Sequence, residues 1–310
     1  MFGKDLVSIH DLSSQDIRKI FDLALKVKAT PENYRNHMSH KTLAMVFEKP
    51  SLRTRVTFEA GMTQMGGHAI YLGPNDIQLG KRETVPDVAR NLERWVDVIM
   101  ARTFSHGSIL QLAEYAHVPV INALSDRLHP CQALADFLTL LEKKGTLEGR
   151  TLAFVGDGNN VAHSLMYIGA KTGVNVRVVC PEGFDPAPDV LKAAQEDAAA
   201  TGAEITVVHD LKEGVGGADA VYTDVWASMG QESEAEKRKK IFQPYQVNAQ
   251  VMALADKEAI FMHCLPAHRG EEVTSEVVDS WQSVVFDEAE NRLHAQKAAI
   301  LLLCHEEMQV

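Results

Sequence analysis

Short apolar runs rich in β-branched residues alternate along the chain with longer segments of helical periodicity. Four such runs, TLAMVFE, HAIYLG, DVIMAR and VPVINA, lie in the first half of the chain. Six more, TLAFVGD, VNVRVVC, EITVVH, DAVYTDV, AIFMHC and SVVFDE, follow in the second half. Strands separated by helices are typical of βαβ units, so the pattern predicts an α/β fold with two doubly wound parallel sheets.

The predicted domain boundary lies in EKKGTLEGRT, residues 142–151, where charge and glycine interrupt the apolar pattern. The sequence therefore predicts a first domain over residues 1–145 and a second over 146–287, joined by bridging helices. The segment 288–310 has helical spacing of its apolar residues and no strand after it, so we expect it to pack back on the N-terminal domain. The polar stretch QESEAEKRKK, residues 231–240, predicts an exposed loop or a frayed helix.

Composition narrows the classes of function. The 310 residues are 45% hydrophobic and carry a formal net charge of -11, which disfavours a nucleic-acid partner because phosphate backbones attract cationic surfaces. The four cysteines have no C-x-x-C spacing, so we expect unpaired thiols in a reducing cytoplasm. The N-terminal residues do not have the pattern of a signal peptide, and the apolar run AAILLLC is far shorter than the roughly 20 residues of a membrane span.

The stretch PSLRTR concentrates cations and hydroxyls in this acidic chain. It follows the strand TLAMVFE and precedes apolar residues at helical spacing, so Ser51 is expected at a helix N-terminus. Free backbone N–H groups and the helix dipole favour an anion there, and Arg53 with the Ser51 and Thr54 hydroxyls would complete a phosphate pocket. The alternative is that Ser51 only caps the helix and the arginines form surface ion pairs.

Three more polar residues follow strands of the first domain. Arg102 lies in MARTFSH, and His129 and Gln132 lie in HPCQ. Open α/β sheets bind ligands at the carboxyl ends of their strands, so these side chains are expected to converge with the PSLRTR segment.

The motifs SLRTR, MARTFSH, HPCQ, DVWASMG and HCLP together resemble those of the transcarbamoylases, and the last two point to the ornithine carbamoyltransferases of that family. The likeness extends over nearly the whole chain. The family usually has S-T-R-T-R at the first motif, so Leu52 is a departure that removes a threonine hydroxyl but keeps the backbone N–H.

The resemblance implies transfer of a carbamoyl group from carbamoyl phosphate to the δ-amine of L-ornithine, in arginine or urea metabolism, without a metal or organic cofactor. It implies catalytic roles for Arg102, His129 and Cys264 and a homotrimer or a multiple of trimers. Gln78 would reach carbamoyl phosphate, often from a neighbouring subunit. The positions implied for carbamoyl phosphate are Ser51, Leu52, Arg53, Thr54, Gln78, Arg102, His129, Gln132, Cys264, Leu265 and Arg292.

For ornithine the resemblance implies Asn160, Asp224, Ser228 and Met229, with a loop at SMG that closes over the substrate. Asp224 suits the α-ammonium group and Asn160 suits the α-carboxylate. Only the neutral δ-amine is a nucleophile, so a proton must leave. The Cys264 thiolate and the departing phosphate are both open as acceptors.

Other functions remain to be separated from this one. GDGNNV resembles the start of a dinucleotide fingerprint, but Val161 stands at the third glycine position. Aspartate, putrescine or an acylated ornithine could replace ornithine as acceptor, and a non-catalytic binding protein could have the same fold. A metal site at His263, Cys264 and His268 is disfavoured because adjacent residues on a strand point to opposite faces.

Overall fold

The computed structural model describes residues 1–227 and 234–309, and its nine strands form two parallel sheets. The first sheet contains β1 (Thr42–Phe47), β2 (His68–Leu72), β3 (Val98–Arg102) and β4 (Val120–Leu124), in the order β2-β1-β3-β4. The second contains β5 (Thr151–Val155), β6 (Asn175–Val179), β7 (Ile205–Val208), β8 (Ala220–Thr223) and β9 (Ile260–His263), in the order β7-β6-β5-β8-β9.

Helices connect these strands. The helices up to the end of β5 are α1 (Ser14–Ala29), α2 (Leu52–Gln64), α3 (Pro74–Ile77), α4 (Val85–Leu92), α5 (His106–Tyr115) and α6 (Pro130–Lys144). Those that follow are α7 (Asn160–Thr172), α8 (Pro188–Ala198), α9 (Leu211–Val215), α10 (Ala235–Phe242), α11 (Ala249–Met252), α12 (Ser275–Val278) and α13 (Val285–Cys304). Short 3-10 turns lie at Pro31–Tyr34, Gln243–Tyr245 and Glu306–Gln309.

The chain divides into two compact units. Unit 1 comprises Met1–Ala135 and the residues from Glu290 onwards, and unit 2 comprises Asp136–Ala289. The division falls inside α6, whereas the sequence predicted a boundary just after this helix. The C-terminal part of α13 belongs to unit 1, where the Lys28 ammonium donates to the Asn291 side chain at 2.9 Å.

Each sheet has a topological switch point, where successive connections leave in opposite directions. In unit 1 it lies between β1 and β3, whose last residues, Phe47 and Arg102, are paired. In unit 2 it lies between β5 and β8, where Val155 pairs with Thr223. Ligands of open α/β sheets bind beyond the strand ends at such points. The switch points therefore indicate where each unit can hold a substrate.

Apolar faces of the sheets build the two cores. In unit 1 the core includes Ala44, Val46, Ile99 and Ala101 from the strands, packed with apolar residues of α4 and α5. In unit 2, β5, β8 and β9 are buried along their whole length, as expected for parallel strands covered on both faces, whereas the edge strand β7 is partly exposed. Rigid strands therefore end at both switch points.

Nine of the ten predicted strands are present, and the tenth prediction was wrong. SVVFDE forms a single bridge between Ser283 and Phe261, and α13 begins two residues later at Val285. Asp287 and Glu288 lie in the first turn of this helix, where carboxylates are favoured by the helix dipole. Within the described residues, the helices are all too short or too polar to cross a membrane.

Candidate active site

The segment after β1 forms a capped helix N-terminus in unit 1. Ser51 is the N-cap of α2, and its hydroxyl accepts a hydrogen bond from the Thr54 N–H at 3.3 Å. The first N–H groups of α2 consequently point past Ser51, and the positive end of the helix dipole lies at the switch point. The predicted cap is confirmed, and its surroundings suit an anion.

The structure separates the two arginines of SLRTR. Arg55 is exposed, pairs with Glu59 on the next helical turn at 3.3 Å, and stacks its guanidinium over the Tyr71 ring at 3.9 Å. Arg53 instead lies close enough to the buried His129 for its charge to affect that imidazole. The surface-pair alternative therefore holds for Arg55, while Arg53 lies with the other candidate residues.

Arg292 connects several predicted site residues although it comes from the far end of the chain. Its guanidinium is 2% exposed and donates to the Gln132 side-chain oxygen at 2.6 Å and to the Thr54 hydroxyl at 3.4 Å. With its amide oxygen facing the guanidinium, Gln296 accepts from Arg292 at 3.0 Å and 3.2 Å. The planar donor fork is thereby held in one orientation.

His129 is a neutral donor or acceptor in this cationic environment. Burial holds the pKa of its imidazole well below the usual value, and neighbouring positive charges lower it further. Those charges belong to Arg292, Arg102 and Arg53. The structure thus brings six of the predicted carbamoyl phosphate residues into one cluster, namely Arg53, Thr54, Arg102, His129, Gln132 and Arg292.

Two other predicted residues are exposed in unit 1. Leu52 is the first residue of α2 and is 74% exposed, so the departure from the usual threonine places an apolar side chain at the surface. Gln78 is also exposed and ends α3 in the left-handed region, with φ of 47°. The Gln78 carbonyl accepts hydrogen bonds from the Lys81 N–H at 2.9 Å and the Arg82 N–H at 3.2 Å.

In unit 2, Asp224 follows β8 at the switch point and is nearly buried. One carboxylate oxygen accepts from the Asn159 side chain at 2.8 Å. The other accepts from its neighbour Val225 N–H at 2.8 Å and from the Cys264 thiol at 3.1 Å. The carboxylate is therefore fixed from both sides, with Cys264 as one of its donors.

Cys264 is held as a thiol. Burial raises the pKa of its sulfur well above the ordinary value, and the Asp224 carboxylate raises it further by charge and by accepting the hydrogen bond. Asp136 and Glu288 act in the same direction from nearby. A thiolate at this position is strongly disfavoured in the protein without substrates.

The HCLP segment turns sharply after β9. Leu265 has φ of 57°, precedes a cis peptide bond to Pro266, and donates its N–H to the His263 Nδ1 at 2.8 Å. Nδ1 is thus the acceptor, so Nε2 carries the proton that binds Glu272 at 3.0 Å. The ligand atoms of Asp224, His263 and Cys264 lie within 4.8 Å of one another, which the alternation argument did not anticipate.

Asn160 begins α7 beside the switch point. Asn159 caps the helix through its side-chain oxygen, which accepts from Val161 and Ala162. Asn160 is half-buried in the first turn, where N–H groups and the helix dipole favour a carboxylate. Ser228, Met229 and the SMG loop lie outside the described residues.

Arg238 was missed by the sequence reasoning. The stretch 231–240 was predicted to be exposed, but within it Arg238 is 5% exposed on α10. Its guanidinium donates to the Trp226 carbonyl and to the Asp157 carboxylate and lies over the Phe184 and Phe242 rings. An isolated arginine in a charged run gives no sequence signal for such burial, because its partners are distant in the chain.

Comparisons with known proteins agree with the geometry. Residues 4–142 match the family model described as aspartate/ornithine carbamoyltransferase, carbamoyl-P binding domain. Residues 148–303 match the model described as aspartate/ornithine carbamoyltransferase, Asp/Orn binding domain. Two matches of one family therefore cover nearly the whole chain.

Individual relatives carry the same description. The chain is 54% identical over 303 residues to the ornithine carbamoyltransferase of Thermococcus kodakarensis, covering 97% of this chain and 96% of the relative. An ornithine carbamoyltransferase of Pyrococcus furiosus named as anabolic is also 54% identical, with the same coverage.

Solved structures extend the comparison to the fold. A structure of ornithine carbamoyltransferase from Pyrococcus furiosus superimposes with a TM-score of 0.95 at 53% identity, covering 98% of this chain and 97% of the other. A crystal structure of the Thermus thermophilus enzyme gives a TM-score of 0.87 at 47% identity, covering 97% and 99%.

Proposed function

The chain belongs to the aspartate/ornithine carbamoyltransferase family, and we propose that it transfers the carbamoyl group of carbamoyl phosphate to the δ-amine of L-ornithine, giving L-citrulline and phosphate. The observation that carries this proposal is the cluster in unit 1, where Arg292 holds Gln132 and Thr54 beside a neutral His129. Unit 1 would bind carbamoyl phosphate and unit 2 would bind ornithine.

The phosphate would bind at the N-terminus of α2. Ser51 and Thr54 offer hydroxyls, the backbone N–H of Leu52 offers a further donor, and Arg53 supplies a full positive charge. Negative charge increases on the phosphate as its bond to the carbamoyl carbon breaks. These fixed donors would therefore bind the transition state more strongly than the substrate.

The carbamoyl oxygen gains negative charge when the amine attacks. Arg102 and His129 would donate to it, and the low pKa of His129 means that a neutral imidazole N–H does so. Gln132, whose oxygen is held by Arg292, would accept from the carbamoyl NH2 group. Arg292 would thus act partly by positioning Gln132 and Thr54.

Ornithine would bind through its α-amino acid end in unit 2. The Asp224 carboxylate, fixed by Asn159 and Cys264, suits the α-ammonium group. Asn160 at the start of α7 suits the α-carboxylate. Ser228 and Met229 would complete the contacts, and the SMG loop would close over the substrate and exclude water.

We assign the proton to the departing phosphate. The δ-nitrogen lone pair forms the new C–N bond, the C–O bond breaks with its electron pair going to phosphate, and a phosphate oxygen accepts the nitrogen proton. Cys264 is disfavoured as this acceptor because its pKa is raised and its thiol already donates to Asp224. Cys264 would position Asp224, and Leu265 would contribute to the carbamoyl end of the site.

A homotrimer would explain the exposed Gln78. Leu52 and Val56 are exposed one turn apart on α2, and Ile70 is exposed on β2, the edge strand of the first sheet. Exposed apolar side chains at a sheet edge favour burial against another chain. We propose that a neighbouring subunit covers this surface, that Gln78 reaches its neighbour's carbamoyl phosphate, and that the enzyme works without a metal or cofactor in the cytoplasm.

The direct test compares acceptors. Purified chain would receive carbamoyl phosphate with L-ornithine, aspartate, putrescine or N-acetylornithine, and each product would be identified by mass spectrometry. The proposal predicts citrulline from ornithine and a much lower kcat/KM with the other acceptors. A higher kcat/KM with another acceptor would overturn the assignment of Asp224 and Asn160. Binding without turnover of any acceptor would favour a non-catalytic protein, and binding of a nicotinamide cofactor would favour a dehydrogenase.

A further inference from the structure

Three metal-ligand side chains meet at a part of unit 2 that the proposed reaction does not use. Cys180 follows β6, Asp185 lies in the next loop, and His209 follows β7. The Cys180 sulfur, an Asp185 carboxylate oxygen and a His209 ring nitrogen all lie within 4.8 Å of one another. Tetrahedral zinc ligands lie roughly 3–4 Å apart, so small side-chain rotations would bring these atoms to a shared ion.

The His209 ring is oriented as a ligand would be. Its Nδ1 lies 2.9 Å from the Cys180 carbonyl oxygen, which can only accept, so Nδ1 carries a proton. In the neutral ring this leaves the Nε2 lone pair directed to the cluster, 3.5 Å from an Asp185 oxygen. Metal-binding histidines commonly donate their other N–H to a backbone carbonyl in this way.

The backbone around the three ligands is well anchored. The Cys180 N–H donates to the Val208 carbonyl at 3.1 Å, which joins the two strand ends. The His209 carbonyl accepts from the Tyr245 hydroxyl at 2.6 Å. On the other side, the Gly158 N–H donates to the Phe184 carbonyl at 2.8 Å, next to Asp185.

Close packing also limits movement of this loop. A Cβ atom on Gly158 would lie 2.2 Å from the Pro186 nitrogen. The loop that carries Asp185 therefore lies directly against the turn after β5, and the ligands are presented by a constrained backbone.

The local potential favours a cation. The Asp185 and Asp157 carboxylates place negative charge close to the Cys180 thiol, which favours a cation there. The Cys180 sulfur is buried, whereas His209 and Asp185 have side chains that are 42% and 45% exposed. An ion would thus have an entry path and an open coordination position for water.

We propose that Cys180, Asp185 and His209 form a binding site for a zinc-like divalent cation. A thiolate, a carboxylate and an imidazole together are a ligand set that suits Zn²⁺. Among the described residues of unit 2, the site is separate from two other groups with metal-ligand chemistry, namely Asp224 with His263 and Cys264, and His268 with Glu271 and Glu272. It does not depend on the proposed carbamoyl transfer.

The test uses Cd²⁺ as a spectroscopic probe in a Cys264→Ser background, which removes the thiol of the first of these groups. Thiolate coordination gives an ultraviolet charge-transfer band, and calorimetric titration with Zn²⁺ gives the affinity. His209→Asn and Asp185→Asn would be compared with His268→Asn, a matched control in the other group. Cys180→Ser would be added to remove the thiol itself.

The proposal predicts a charge-transfer band in the Cys264→Ser background and its loss on adding Cys180→Ser. His209→Asn and Asp185→Asn should each weaken Zn²⁺ binding by about tenfold or more, since each removes one ligand. His268→Asn should leave both signals unchanged. If the background lacks the band, or if His209→Asn binds Zn²⁺ as the background does, the assignment is wrong. The two exposed substitutions keep the test valid should Cys180→Ser not fold.

Discussion

At the scale of residues, chemistry at the candidate site depends on partners far away in the sequence. Arg292 meets Gln132 and Thr54 across separations of 160 and 238 residues. Local pattern assigned Arg53 to a phosphate pocket but left surface ion pairs open as the alternative for both Arg53 and Arg55. The fold distinguishes the two arginines. Tyr71 and Glu59 lie beside Arg55, whereas His129 lies near Arg53.

Because the two arginines differ in role, a change to lysine should have different effects at Arg53 and at Arg55. Arg53→Lys removes the planar donor fork from the candidate phosphate site, so the Kd of carbamoyl phosphate should rise about tenfold or more. Arg55→Lys is the matched control on the same helix and should leave the Kd nearly unchanged. Calorimetric titration measures both. Equal effects, or an effect only at Arg55, would contradict the assignment.

The protonation state of Cys264 predicts its reactivity. Because burial and Asp224 raise its pKa well above the ordinary value, alkylation by iodoacetamide should be slow and should keep increasing with pH up to about pH 9. Peptide mass spectrometry would follow Cys264 separately from the other cysteines. A rate that reaches a plateau near neutral pH would show a thiolate and would restore Cys264 as a candidate proton acceptor.

At the scale of elements, the strand predictions were confirmed where an apolar, β-branched run is buried in a parallel sheet. Buried parallel strands read as continuous apolar runs, and β5 and β9 are of this kind. SVVFDE also has such a run, but its acids stabilise a helix start and only Ser283 bridges to β9. In the stretch 231–240 most of the described residues are exposed as predicted, and the exception is Arg238, which is buried by partners outside the stretch.

The N-cap of α2 has separable structural and functional roles. Ser51→Ala removes the hydroxyl that accepts from Thr54 and should lower the free energy of unfolding by about 1 kcal/mol. Ser51→Asp should keep the cap and most of that stability, but its charge should strongly weaken carbamoyl phosphate binding.

Urea unfolding and calorimetric binding of carbamoyl phosphate would be measured on both Ser51 variants. If Ser51→Asp binds as well as the wild type, the anion does not bind at this helix end.

Removing the buried charge of Arg238 should greatly lower the stability of unit 2. Arg238→Met leaves the Asp157 carboxyl without its ionic partner, which should cost about 3–5 kcal/mol for a buried pair. Lys239→Met removes an exposed pair with Glu271 and should cost less than about 1 kcal/mol.

Fluorescence of Trp226, which stacks beside Phe242, would report urea unfolding of unit 2. The exposed Trp95 and Trp281 would be replaced by phenylalanine in both chains. Similar losses at Arg238 and Lys239 would show that burial of the Arg238 pair contributes little.

At the scale of the whole molecule, each unit presents its candidate residues at the switch point of its own sheet. The net charge of -11 gives no indication of this arrangement, because the cations of unit 1 are concentrated in one small cluster. Composition disfavoured a nucleic-acid partner but could not reveal an anion site. Motif positions relative to strand ends carried that information, since topology determines which strand ends are neighbours.

Subunit sharing predicts complementation between two defective chains. Gln78→Ala and Arg53→Lys should each lower activity when refolded alone. In a mixed oligomer, a site is intact when the Gln78→Ala chain supplies Arg53 and a neighbouring Arg53→Lys chain supplies Gln78. Equal mixing after mild unfolding should therefore restore about a quarter of the wild-type sites in a closed symmetric oligomer. The measured quantity is citrulline formation after mixing, with each variant refolded alone as control. Activity no higher than the average of the two variants would indicate unshared sites.

Carbamoyl transfer to ornithine by this chain can be followed atom by atom. The most direct measurement follows isotopically labelled carbamoyl phosphate into product, with L-ornithine and either the wild-type chain, Arg53→Lys or Asp224→Asn. We expect label in citrulline with the wild type and strongly decreased labelling of citrulline with both variants. Label that is only released by hydrolysis, with none in citrulline, would contradict carbamoyl transfer.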